Sequence, residues 1–146
     1  MNNRSAWLRC LSIGIALLSS TAGVAQDILI GEWQFVEASF PLPESCRATI
    51  FQFTTDGMFV GNDGSFQEMK RYTAKSYKNG FLVEFQYLSN NGKNNCQGLP
   101  AGYVKLNTIE TLYIELLNAG ILKIYFGLED AQGFMVFKKE NRGQPE

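Results

Sequence analysis

The sequence has 146 residues, a formal net charge of −1 and no histidine. The absence of histidine excludes Ser-His and Cys-His nucleophilic systems and removes the commonest zinc ligand. The mildly acidic balance argues against a nucleic-acid partner. Phosphates attract a basic stripe, and the densest basic groups here are only Lys70-Arg71 and Lys138-Lys139.

Residues 1 to 25 have the composition of a secretory signal peptide. Arg4 and Arg9 precede an apolar run of about ten residues, and small residues lead to a cleavage position after Ala25. The run is shorter than the roughly 18 apolar residues that a membrane span needs. We therefore expect cleavage, a periplasmic or secreted location and no transmembrane segment in the processed chain. Residues 26 to 146 are expected to form one domain.

Cleavage leaves two cysteines, Cys46 and Cys96, in an oxidising compartment. We predict one disulfide between them, because paired cysteines are typical of exported domains. Closing a loop of this length stabilises a fold by about 4 kcal/mol on the chain-entropy model. The alternative is a pair of free thiols that binds a metal or does redox work, but the chain has no Cys-x-x-Cys spacing to favour it.

Turn residues divide the processed chain into short strands. Glycine follows Asp or Asn at 56–57, 63–64, 79–80 and 91–92, and such pairs are typical of tight hairpin turns. Between the turns, apolar and polar residues alternate with the period of two that marks a half-buried strand. We predict eight or nine strands, with at most one short helical turn near 27–30 or 41–45: 31–38, 48–55, 58–62, 66–77, 80–89, 101–107, 110–117, 121–127 and 133–139.

The alternation also assigns an inner face to each strand. In the last strand, Phe134 and Val136 are expected to face inward, opposite Met135 and Phe137. Closure removes the exposed edges that a row of hairpins would otherwise leave. The pattern therefore favours an all-β fold, a single up-and-down antiparallel barrel of 8–9 short strands, over a two-sheet sandwich with a Greek-key crossover.

Gly31-Glu32-Trp33 stands at the head of the first predicted strand. With the leader, the length and the hairpin order, it resembles the G-x-W signature of the lipocalin-like, or calycin, superfamily. The resemblance implies that Trp33 plugs the closed end of the barrel and that Gly31 lets the chain turn tightly beneath it. It also implies that a basic side chain covers the indole by a cation–π contact, for which the candidates are Lys138, Lys139 and Arg142.

The chain also departs from lipocalins proper. It has no T-D-Y-like motif, since the segment 54–59 has the pattern of a hairpin turn, and no long helix near its C-terminus. The resemblance is therefore to a minimal bacterial lipocalin-like domain.

Two surfaces are candidates for binding. An eight-stranded barrel is either filled by its own side chains or holds one small ligand, which would here be apolar or aromatic. The candidate ligand-binding residues of the interior are Trp33, Phe35, Phe51, Phe53, Phe85, Tyr87 and Phe126. The second surface consists of the loops 39–46 and 89–102, which the disulfide would hold side by side. Its apolar tips are Leu42, Pro43, Leu99 and Pro100, although the bridge would also be explained if it only stapled the barrel.

Catalytic and metal-binding patterns are missing from the sequence. The carboxylates are scattered, with no spacing that favours the paired acids of a glycosidase. The segment 61–68 lacks the D-x-D-x-D-G spacing of a calcium loop. We therefore expect no metal, no cofactor and no catalytic residue.

These observations leave three hypotheses. The first is a secreted or periplasmic lipocalin-like binding protein, non-catalytic, with a small apolar ligand or an envelope role. The second is a protein-binding module, such as an inhibitor of an envelope-directed hydrolase, that acts through the bridged loops. The third is an enzyme with an unspecified carboxylate pair.

Overall fold

A computed structural model describes residues 27–127 and 133–141. The predicted signal peptide and Arg142 lie outside these ranges. The described chain contains eight strands, a helical turn at 27–29 and two short 3-10 helices, at Glu44–Ala48 and Ala101–Tyr103, so the expectation of at most one helical turn is wrong. The strands are β1 Gly31–Ala38, β2 Ile50–Phe53, β3 Met58–Asn62, β4 Gln67–Tyr77, β5 Gly80–Asn90, β6 Ile109–Asn118, β7 Ile121–Tyr125 and β8 Phe134–Lys139. Within these ranges, no helix has the length and apolar content needed to cross a membrane.

The strands form a closed barrel in chain order, and every neighbouring pair is antiparallel. Closure comes from pairing of β1 with β8, where Trp33 lies opposite Lys139 and Phe35 opposite Phe137. The predicted all-β, up-and-down barrel is confirmed, and the number of strands is eight. Closure leaves β1 and β8 without a free edge, as the row of hairpins required.

Aromatic side chains pack against one another inside the barrel. The Phe53 ring lies 5.1 Å from that of Phe59 and 5.0 Å from that of Tyr72, in edge-to-face contacts. The rings of Phe51 and Phe137 stack at 4.4 Å. Such geometry is favoured for aromatic pairs. Burial raises the pKa of Tyr72, and the charges of Asp56 and Asp27 add to this effect.

Trp33 closes one end of the barrel. It is fully buried, and its Nε1–H donates a 2.8 Å hydrogen bond to the carbonyl of Leu29 in the short helical turn before β1. The Lys139 ammonium lies 5.1 Å from the centre of the Trp33 ring, so of the candidate basic residues Lys139 makes the cation–π contact.

The same contact accounts for Gly31. A Cβ at this position would lie 2.8 Å from Lys139 Cε, and the backbone φ of +130° is one that side-chain-bearing residues rarely adopt. Glycine therefore permits both the turn into β1 and the close passage of the lysine over the indole.

Two predictions at the strand level are wrong. Residues 101–107 form a 3-10 turn and a loop instead of a strand, because a turn at 105–108, in which Asn107 has a positive φ of 63°, interrupts the extended backbone before β6. In β8, Met135 and Phe137 belong to the core cluster, whereas Phe134 and Val136 lie on the other face, opposite Tyr125 and Lys123. Val136 is nevertheless buried there.

Phe134 and Tyr125 pack together on that outer face. Their ring centres are 6.1 Å apart, and the Lys123 ammonium lies 4.0 Å from the centre of the Phe134 ring. The Tyr125 hydroxyl donates to Glu115 Oε2 at 2.8 Å. Burial and this hydrogen bond raise the pKa of Tyr125, although its contact with Lys123 acts in the opposite direction.

Candidate functional site

The long connections gather at the end of the barrel opposite Trp33. Because the strands alternate in direction, the loops after β1, β3 and β5 all lie at this end, which we call the mouth. These loops are residues 39–49, 63–66 and 91–108. At the closed end the strands are joined only by short turns, so any opening to the interior is at the mouth.

A disulfide crosses the mouth. The predicted bond between Cys46 and Cys96 is present, and it joins the loop after β1 to the loop after β5. Two hydrogen bonds support the crossing: Ser45 Oγ donates to the Cys96 carbonyl at 2.8 Å, and the Cys96 N–H donates to Asp63 Oδ2 at 2.5 Å. Three loops are thus fixed to one another above the barrel.

A cavity of about 650 Å³ opens beside this crossing. It lies between β4, β5 and the start of β6, under the loop that carries Tyr103. Its wall combines aromatic rings with charged side chains. The aromatic and charged lining residues are Lys70, Phe85, Tyr87, Tyr103, Lys105 and Glu110. We call it the mouth cavity. Its volume falls in the range of small-molecule sites, about 300 to 1,000 Å³.

Lys70 is the principal charged group of the mouth cavity. Its Nζ lies 3.1 Å from Glu68 Oε1 and 3.8 Å from Glu110 Oε2. The Lys70 and Glu68 side chains are only 15% and 18% exposed, whereas that of Glu110 is 50% exposed. Three ring centres also surround the ammonium, those of Phe59, Phe85 and Tyr87 at 5.6, 5.5 and 5.8 Å. Carboxylates and ring faces together make this a cation-stabilising environment.

The strand register explains how Lys70 reaches the interior. In β4, Lys70 shares a face with the buried Tyr72 and Ala74, two and four residues further along. Lys70 lies opposite Phe59 on β3 and Tyr87 on β5, which brings two of the three rings to it.

A glycine makes room for the partner carboxylate. Gly61 is opposite Glu68 in the register, and a Cβ at Gly61 would lie 3.1 Å from Glu68 Cγ. Glu68 therefore lies over the bare backbone of β3, within reach of Lys70.

The interior residues predicted to bind a ligand divide into two groups. Phe85 and Tyr87 line the mouth cavity, and Phe126 lines a second cavity of about 400 Å³ on the far side of the disulfide. The remaining four pack within the barrel as plug or core: Trp33, Phe35, Phe51 and Phe53.

The predicted loop residues lie on both sides of the crossing. Leu42 lines the second cavity together with Cys46 and Cys96. Leu99 and Pro100 border a smaller pocket of about 190 Å³ next to the mouth cavity. Pro43 is exposed beside the bridge.

Sequence reasoning missed the polar part of the site. The sequence shows Glu68 and Glu110 as scattered carboxylates, but the structure brings both to Lys70. The signal was present in β4, where Glu68 and Lys70 continue the period-two face of Tyr72 and Ala74. In the described part of the chain, no three His, Cys, Asp or Glu side chains are grouped so as to hold a metal.

Known proteins add no further constraint. Comparisons with family models, curated proteins and solved structures found no match. At a coarse level the eight-stranded barrel is consistent with a lipocalin-like fold. Chemistry must therefore be inferred from the mouth cavity itself.

Proposed function

We propose that this protein is a secreted or periplasmic, lipocalin-like binding protein that takes one small ligand with an apolar body at the mouth of its barrel. The observation that carries the proposal is the mouth cavity, which is bordered by Phe85, Tyr87 and Tyr103 and fixed in place by the cross-linked loops. A pre-formed cavity binds more tightly than a mobile one because less conformational entropy is lost on binding.

Titration with the neutral fluorophore Nile red tests this proposal. We expect saturable binding of one dye per protein with increased emission, as the dye enters an apolar site. Val104 lines the mouth cavity, so Val104→Trp should fill it and weaken binding several-fold. Val36→Trp is the matched control, because Val36 is 49% exposed on β1. Absence of binding, or equal effects of the two variants, would contradict the proposal.

A protein-binding module is the second candidate, for example an inhibitor of an envelope-directed hydrolase. Its support is the exposure of large apolar side chains on the loop after β5 and at the start of β6, where Tyr103, Leu106 and Ile109 are 71%, 60% and 60% exposed. Apolar side chains exposed together on one surface often mark interaction sites. Native mass spectrometry of protein purified from its own secretion compartment separates the candidates: a retained small molecule supports the first, and a stoichiometric co-purifying protein the second.

We further propose that the protein is not an enzyme. Histidine is absent from the sequence, which removes the commonest general base. The two carboxylates at the mouth, Glu68 and Glu110, both lie against the Lys70 ammonium, whereas the paired acids of a glycosidase flank the substrate bond that they cleave. The disulfide and the leader pattern support export to an oxidising compartment.

A further inference from the structure

The charged cluster at the mouth cavity consists of two carboxylates and one ammonium. Lys70 and Glu68 satisfy each other at 3.1 Å, and both side chains are largely buried, so this pair contributes no net charge. Glu110 is different: its carboxylate is 3.8 Å from Lys70, which is beyond hydrogen-bond distance, and it is half exposed on the cavity wall. Glu110 is therefore the carboxylate of this cluster that a ligand in the cavity can reach.

The opposing charge at the mouth is poorly placed to cancel Glu110. Lys105 also lines the cavity and is exposed, as Glu110 is, but among the described residues it makes no ion pair with a carboxylate. The cluster of Lys70, Glu68 and Glu110 therefore keeps one excess negative charge. Phe85, Tyr87 and Tyr103 present rings to the same space, and the faces of such rings attract cations.

The position of the Lys70 ammonium shows that these rings and carboxylates surround a cation. Its ammonium already occupies a position within 6 Å of three ring centres and between two carboxylates. The chain thus places its own primary ammonium in a cage of the kind that recognises ligand ammonium groups.

We propose that the mouth cavity selects an organic cation, an ammonium group on an apolar body, with Glu110 as its counter-ion. This inference rests on the proposed binding function and names the ligand class for the same site. In the protein as it stands, the ligand ammonium lies against Glu110 and the nearby rings while its apolar body fills the cavity. Lys70 acts as an internal competitor, since its positive charge repels the ligand and occupies the cage.

Three ligands of one chain length test the charge preference: octylamine, octanol and octanoate, each used to displace Nile red. We expect octylamine to bind about fivefold more tightly than octanol, which is the upper range for a partly exposed ion pair. Octanoate should bind more weakly than octanol.

Two variants should act in opposite directions. Glu110→Gln should remove the preference for octylamine over octanol. Lys70→Met should raise the affinity for octylamine about tenfold, because the ligand ammonium can then form the charged hydrogen bond to Glu68. The gain must be confined to octylamine, with the affinity for octanol unchanged, because partial unfolding would expose apolar surface and raise the binding of both ligands. Glu84→Gln, on the exposed face of β5, is the control and should change nothing.

The outcomes separate this inference from the proposed function. Tightest binding of octanoate, equal binding of all three ligands, or no gain in Lys70→Met would overturn the cation preference. If Nile red binds and none of the three ligands displaces it, the ligand class is wrong while the binding function stands. If Nile red does not bind at all, the binding function itself fails.

Discussion

Replacement of Trp33 by Phe tests whether the indole closes the barrel as a specific plug. The variant loses the Nε1–H that donates to the buried carbonyl of Leu29, and an unsatisfied buried acceptor costs about 1 to 3 kcal/mol. It also leaves unfilled space where the larger ring system was fully buried. The Lys139 contact weakens by up to about 1 kcal/mol, because phenyl is a poorer partner for a cation than indole.

Together these losses should lower the free energy of unfolding by about 3 kcal/mol, a large part of what a domain of this size has. Guanidinium unfolding followed by far-ultraviolet circular dichroism measures this free energy. Tryptophan fluorescence cannot be used, because the substitution removes the only tryptophan after residue 25. Lys139→Met is the graded control and should cost less than about 1 kcal/mol, because it removes only the cation–π contact. Nile red binding should be unchanged in both variants, since the plug lies opposite the mouth. A loss below about 1 kcal/mol for Trp33→Phe, or a larger loss for Lys139→Met, would refute this reasoning.

Two further predictions concern the disulfide and the buried tyrosine. Replacing Cys46 and Cys96 together by Ala should lower the free energy of unfolding by about 4 kcal/mol in urea titrations, because the bridge closes a loop across 50 residues in the unfolded chain; a loss below about 1 kcal/mol would contradict this. The buried Tyr72 side chain should lower the free energy of unfolding in alkali. Burial raises its folded pKa above the ordinary 10.0, so the unfolded chain releases the proton first, and the contribution to stability is complete below that value and lost as pH rises through the folded pKa. The urea midpoint should therefore fall between about pH 9 and pH 11, less steeply in Tyr72→Phe, and equal slopes would speak against the assignment.

Much of this fold could be predicted from local sequence patterns. Asp56-Gly57 marked a turn correctly because Gly57 takes a positive φ of 79°. Asn79-Gly80 also marked a hairpin, but its turn residues are Lys78 and Asn79, the positive φ is at Lys78, and Gly80 is the first residue of β5. Alternation set the inner faces of strands such as β5, whose Phe81 and Val83 are buried. The disulfide followed from the even cysteine count in residues 26–146.

The errors arose where alternation does not decide the structure. Residues 101–107 have the pattern of a strand, but they form backbone turns at 100–103 and 105–108. The inner face of β8 was misassigned because Phe134, Met135, Val136 and Phe137 are all apolar, so alternation could not distinguish the two faces. The ion pair of Lys70 with Glu68 was missed because charge suggested exposure, while its register beside Tyr87 places it inside.

The pairing of β1 with β8 has a practical consequence for handling the protein. Gly31 and Lys139 lie side by side at the plugged pole, and the Glu140 N–H bonds to the Glu32 carbonyl there. A tether or affinity tag joined to either strand is therefore attached on the side away from the mouth. Molecules immobilised through it would present their mouths to the medium, which suits surface-based affinity measurements.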